Sequence, residues 1–200
     1  MLVPPPIAAA PAPTDTREPL VVGYTPDPKA KGLALLCAAW ERAELAGARL
    51  VIAGIPRERA IEFLARRGGR LPPGAELAGM LPQPSFRDLL ARARVFVSAA
   101  EWEDFGIAPL EAFDRGAVLV GAPGGGPFPG LGIARALAAE FVAADRDPAS
   151  LARALEAAFA ADDAVLATYR VAARKALEPY RPEASVKRLQ EEVLPALLGA

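Results

Sequence analysis

Two hundred residues, 52% of them hydrophobic, suit one globular domain that buries roughly 70% of the surface its unfolded chain would expose. The 23 basic and 24 acidic side chains are interspersed and leave a net charge of −1, without the basic stripe that tracks a phosphate backbone, so nucleic acid is not an expected partner. One cysteine and no histidine exclude an intrachain disulfide, the histidine-containing zinc and haem sites and any histidine base, and no metal or other cofactor is expected.

Residues 1–18 set Pro4, Pro5, Pro6, Pro11 and Pro13 among alanines, which predicts an extended linker that cannot join a central strand. The chain start lacks the charged region and apolar run of a signal peptide, and no stretch of 18 apolar residues predicts a membrane helix; a cytoplasmic protein is the expectation. From residue 19 to 200 the pattern reads as one domain of alternating strands and helices. A strand at Leu20–Gly23 precedes a helix from Gly32 to Leu45, in which Cys37 shares helical spacing with Leu33, Leu36 and Trp40 and reads as a core thiol. A strand at Arg49–Ala53, a helix at Arg57–Arg67, a Gly/Pro loop and a short strand at Glu76–Ala78 follow. Next come a helix at Ser85–Arg92 and an apolar strand ending at Ser98. A helix begins at Ile107, followed by a strand at Ala117–Val120, a second Gly/Pro loop, a short helix at Ile133–Ala139 and an edge strand at Glu140–Ala143. Helices at Pro148–Ala160 and Ala164–Leu177 lead to a last helix over 182–198. Its Val186, Leu189, Val193 and Leu197 form one apolar face, with Pro195 expected to bend it. Helices of this length between strands predict an α/β fold: a doubly wound, Rossmann-like parallel sheet of about six strands with helices on both faces.

The segment from Ser98 to Gly116 carries the chemistry. It places Glu103 and Glu111 eight positions apart across a strand-to-helix turn, with Phe105, Gly106 and Ile107 at the helix start, where unpaired amides face an anion or a hydroxyl. On residue chemistry alone the two glutamates fit either solvated carboxylates near a helix N-terminus or paired acceptors for the hydroxyls of one ligand. Lys31 stands in the loop after the first strand, which faces the ligand crevice in open α/β sheets. Gly124-Gly-Gly126 follows the strand at Val118–Val120 and is weak evidence by itself. A dinucleotide fingerprint is disfavoured, because no G-x-G-x-x-G follows the first strand and Pro127 and Pro129 interrupt the later glycines.

Glu103-Asp-Phe-Gly-Ile-Ala-Pro-Leu-Glu111 resembles the glutamate-seven-residues-glutamate motif of retaining glycosyltransferases with the GT-B architecture, the group called family 4 or glycosyl transferases group 1. Lys31-Gly-Leu, Ala48–Gly54, Ala78-Gly-Met-Leu-Pro82 and Arg92–Ser98 are similar to successive landmarks of that family's C-terminal, donor-binding half, from about residue 19 to 195. The resemblance implies a single GT-B half-domain that binds a nucleoside-diphosphate sugar and transfers a hexose with retention. The N-terminal, acceptor-binding half would be absent or supplied by a partner chain, and the isolated domain would be inactive. It further implies that Glu103 holds donor-sugar hydroxyls, Glu111 the ribose hydroxyls, Lys31 the diphosphate, and Gly124 and Gly125 lie near the donor sugar. Residues 1–18 would be the inter-domain hinge, and the last helix would cross back to the other half. One departure stands out: Tyr24 occupies a position where the family usually has arginine, and Lys29 or Arg135 is the available substitute. The alternative function is a non-catalytic nucleotide-sugar-binding or regulatory module.

Overall fold

The computed structural model describes residues 3–11 and 17–198; the parts of the linker and of the domain reading that fall on residues 1–2, 12–16 and 199–200 lie outside it. Five strands form one parallel sheet: β1 (Glu18–Tyr24), β2 (Arg49–Ala53), β3 (Ala75–Gly79), β4 (Ala93–Ser98) and β5 (Val118–Gly121), in the order β3-β2-β1-β4-β5. The central residues of β1, β2, β4 and β5, Val21 and Val22, Val51 and Ile52, Val95 to Val97 and Val118 to Val120, are buried, as parallel strands covered on both faces require. The order reverses between β1 and β4, whose register pairs Val21 with Val95, Val22 with Phe96 and Gly23 with Val97. In doubly wound sheets the loops leaving two such strands diverge and open a crevice at their carboxyl ends.

The helices are α1 (Leu33–Arg42), α2 (Arg57–Ala65), α3 (Gln83–Arg92), α4 (Ile107–Asp114), α5 (Pro129–Leu137), α6 (Pro148–Ala160) and α7 (Asp163–Lys175). Helix α1 packs on α6, while α4 packs on α3 and α7, and right-handed crossovers put the two groups on opposite faces. Cys37 sits inside the α1 core, and burial pushes its thiol up to about 12. Thiolate is the reactive form, so the native protein is expected to resist a thiol-specific chromogenic reagent at pH 8 and to release one equivalent when unfolded in guanidinium. Rapid native labelling would contradict that burial.

The five strands are close to the expected count of about six, and the expected edge strand at Glu140–Ala143 is not among them. Residues Ala139–Phe141 form a 3-10 turn, in which the amides of Phe141 and Val142 donate to Ala138 and Ala139 and are lost to a ladder. A single parallel bridge, Gly121 to Val142, remains of the expected edge strand. Helix α5 begins at Pro129, four residues before the expected start, because proline at the first helical position lacks only an amide that is unpaired there anyway.

The last helix is broken into α8 (Pro182–Arg188), a π-helical turn (Leu189–Val193) and α9 (Leu194–Leu198). The wide turn falls where the Pro195 ring would clash with the Glu191 carbonyl and where its missing amide breaks the regular ladder. The apolar face stays open: Val186, Leu189, Leu194, Leu197 and Leu198 are all exposed.

Residues 3–11 hold no helix or strand, yet they are fastened to this end of the chain. Ile7 is buried and its amide donates to the Tyr180 carbonyl at 2.7 Å, and the Ala10 amide donates to the Asp114 carboxylate at the end of α4. Arg181 binds the same carboxylate at 2.7 Å, and Arg174 lies 3.9 Å from it while donating to the Ala10 carbonyl at 2.9 Å. Asp114 is only 1% exposed. Among the described residues no helix is long and apolar enough to cross a membrane.

Candidate functional site

The crevice between β1 and β4 holds Lys31, Glu103, Gly106 and Ile107, with Glu111 in an adjoining compartment. The loop after β1 carries Lys31, and the segment after β4 carries Glu103 before α4 begins. A main-chain hydrogen bond from Glu101 to the Ala30 carbonyl, 2.8 Å, ties the two loops together. Lys31 Nζ lies 2.8 Å from Glu103 Oε2, with both side chains largely shielded from solvent. A cleft of about 260 Å³ opens beside this pair, walled by Tyr24, Ser98, Phe105, Gly106 and Ile107. Gly106 caps α4 at φ 79°, a left-handed conformation that glycine adopts without steric penalty. Pro109 has no amide, and the first-turn amides of Ile107 and Ala108 have no carbonyl one turn earlier within the helix, so they are available to an anion.

Glu111 borders a second compartment of about 370 Å³, lined also by Leu81, Gln83, Phe86, Ile107 and Ala108. Tyr24, Ile107 and Ala108 line both compartments, and the Tyr24 ring lies 5.0 Å from that of Phe86. The structure therefore brings the two glutamates to one crevice but assigns them to adjoining chambers. Each carboxylate is held by a cation through one oxygen. Lys31 takes Glu103 Oε2, and Arg87 donates through Nε at 3.2 Å and Nη2 at 2.9 Å to Glu111 Oε1. The remaining oxygen of each carboxylate has no protein partner among the described residues and stays able to accept a ligand hydroxyl.

The other expected residues are placed differently. Phe105 turns its ring edge to Tyr180, with centroids 5.5 Å apart, so its side chain joins the site to the chain-end cluster. Gly124 and Gly125 are not on the wall of the cleft. They brace it from behind, since the Gly125 amide donates to Glu101 at 2.8 Å and the Gly125 carbonyl accepts from Glu103 at 3.0 Å. Gly126 adopts φ 88°, and a Cβ there would sit 2.3 Å from the Glu103 carbonyl oxygen. Neither substitute for the missing arginine reaches the cleft. Lys29 lines a separate groove with Arg59, Arg66 and Arg67 along α2, and Arg135 is exposed on α5.

Two arginines that sequence reasoning did not single out support the site. Arg87 on α3 clamps Glu111; it reads in sequence as an ordinary helix charge, and only the packing of α3 on α4 reveals the pair. Arg146 donates to the carbonyls of Ala99, Ala100 and Pro123 at 2.7–2.8 Å, locking the exit of β4 to the glycine loop. Spacing gives no hint of that contact, because it joins segments far apart in the chain.

Residues 17–161 match the model of the family described as Glycosyl transferases group 1. No curated protein sequence matches the chain. Among solved structures, Anabaena HepE in complex with UDP-glucose superposes with a TM-score of 0.71 at 16% identity, over 88% of this chain and 49% of its own. The α,α-trehalose 6-phosphate synthase of Burkholderia multivorans gives 0.71 at 16%, over 92% and 44%. The catalytic domain of cholesterol-α-glucosyltransferase from Helicobacter pylori gives 0.59 at 20%, over 79% and 97%. At such identities the likeness shows the fold, that of a Rossmann-like GT-B domain, and the chain spans about half the length of the first two. The span matched by the family model runs from the start of β1 past the end of α6 and includes the whole sheet, Lys31, Glu103 and Glu111. This chain belongs to the glycosyl transferases group 1 family.

Proposed function

We propose that the chain is the donor-binding half of a retaining glycosyltransferase that takes a hexose from a nucleoside-diphosphate sugar, with the acceptor supplied by a second domain or partner chain. The observation that carries this reading is the pair of carboxylates, each with one oxygen clamped and one free, in adjoining chambers around the α4 N-terminus. In this reading Glu103 accepts the sugar hydroxyls and Glu111 those of the ribose. The diphosphate runs between them past Tyr24, toward Lys31 and the amides of Ile107 and Ala108. Negative charge that builds on the leaving diphosphate as the glycosidic bond breaks would meet the lysine and the helix amides, and this fixed polarity lowers the barrier. HepE with UDP-glucose and the family match support a nucleotide-sugar donor.

The test is calorimetric titration with UDP, GDP, ADP and their hexose conjugates. Glu111→Ala is expected to weaken both the free nucleotide and the conjugate, by about tenfold or more for the loss of hydrogen bonds to a charged acceptor. Glu103→Ala is expected to weaken only the conjugate. Equal effects of both substitutions on both ligands would sink the assignment.

A second reading, a nucleotide-sugar-binding module that transfers nothing, draws on one observation. Lys31 is the only basic side chain lining the Glu103 chamber among the described residues, because Tyr24 stands where the family resemblance leads one to expect arginine. Sugar transfer on adding the acceptor-binding half would exclude it.

A further inference from the structure

We infer that Arg87 is a positioning residue for ribose recognition: it fixes the Glu111 carboxylate so that its free oxygen meets the hydroxyls of the nucleotide. The inference rests on the reading of Glu111 given above and adds to it a residue that acts only through another.

The geometry is asymmetric in a way that a simple helix-to-helix tie does not need. Both donors of Arg87 converge on Oε1 of Glu111, at 3.2 and 2.9 Å, leaving Oε2 without a protein partner among the described residues. Arginine presents these two donors in one rigid plane, so the contact fixes the carboxylate more closely than a point charge would. Glu111 is 14% exposed and Arg87 32%, so the glutamate is shielded while the guanidinium sits at the rim of the pair. Without that contact the glutamate has three rotatable bonds and no other side chain among the described residues donates to it. A ribose diol binding a mobile carboxylate must order it first, and that entropic cost is removed by prior fixation. Arg87 itself is absent from the walls of both chambers, so its effect on ligand passes through Glu111.

The experiment compares the full chain with Arg87→Met, which keeps a long apolar stem and removes both donors, and with Arg87→Lys, which returns one cation. Each is titrated with UDP, ADP and GDP, and the nucleotide that binds is then compared with its 2′,3′-dideoxy counterpart, which lacks the hydroxyls. Wild type is expected to prefer the ribose form by about tenfold or more. Arg87→Met is expected to reduce that preference to about twofold while leaving the dideoxy nucleotide bound as before, and Arg87→Lys to restore part of it. A purely structural role would weaken both forms equally, and that result overturns the inference. So does a preference that survives unchanged in Arg87→Met, with the donor-site reading intact. A wild type that binds without preferring ribose removes the role given to Glu111 as well. Failure of the wild type to bind any of the three nucleotides overturns the donor-site reading itself and the inference with it.

Discussion

Asp114→Ala is expected to destabilise the domain by about 3–5 kcal/mol, the usual consequence of removing one partner from a buried ion pair. The substitution removes a carboxylate that is 1% exposed and leaves the Arg181 guanidinium, 12% exposed, without its 2.7 Å partner. It also deprives the Ala10 amide of an acceptor and removes the longer contact from Arg174. Against a total stability of about 5–15 kcal/mol this is a large fraction, and it converts to a fall in melting temperature on the order of 10 °C for a domain of this size. Asp114→Asn retains one acceptor and should lose less. Thermal melts of both variants test the claim; a melting temperature for Asp114→Ala within about 2 °C of wild type would show that the cluster contributes little.

Lys31→Met is expected to raise the Kd for a nucleoside-diphosphate sugar by roughly one hundredfold, combining two losses. A charge-assisted hydrogen bond to phosphate contributes about 1.5–3 kcal/mol, which is roughly ten- to one-hundred-fold in affinity. The second loss is electrostatic: Glu103, only 14% exposed and now unpaired, faces the incoming phosphates as a like charge. Adding Glu103→Gln to Lys31→Met should therefore recover part of the diphosphate affinity, a coupling that independent sites would not show. Unchanged binding of nucleotide to Lys31→Met would place the diphosphate elsewhere in the crevice.

How much of this was legible in the sequence differs between the scaffold and the site. The five strands follow from runs such as Val95-Phe-Val97 and Leu50-Val-Ile52, buried on both faces, whose period and boundaries are local properties. The expected edge strand at Glu140–Ala143 failed for a local reason that composition does not report: Phe141 and Val142 have strand-like composition, but a 3-10 turn uses their amides. At the site, Lys31, Glu103, Gly106 and Glu111 could be named because one loop and one strand-to-helix turn carry them at fixed spacing. Arg87, Arg146 and the Tyr24–Phe86 contact could not, because each acts across elements whose juxtaposition depends on helix packing. The glycines after β5 were named through the resemblance, which implied a place near the donor sugar, but what they touch was not legible. They meet the backbone of Glu101 to Glu103, so they position the glutamate from behind.

The fastening of residues 3–11 to the far end of the chain has a mechanical consequence. Tension applied between the two ends would be borne first by Ile7 on Tyr180, by Ser185 on Pro4 and by the Asp114 cluster, and only after these gave way by the hydrogen-bonded ladders of the sheet. The Asp114 cluster is anchored on the last residue of α4, so a pull on either end is delivered to the helix that carries Glu111.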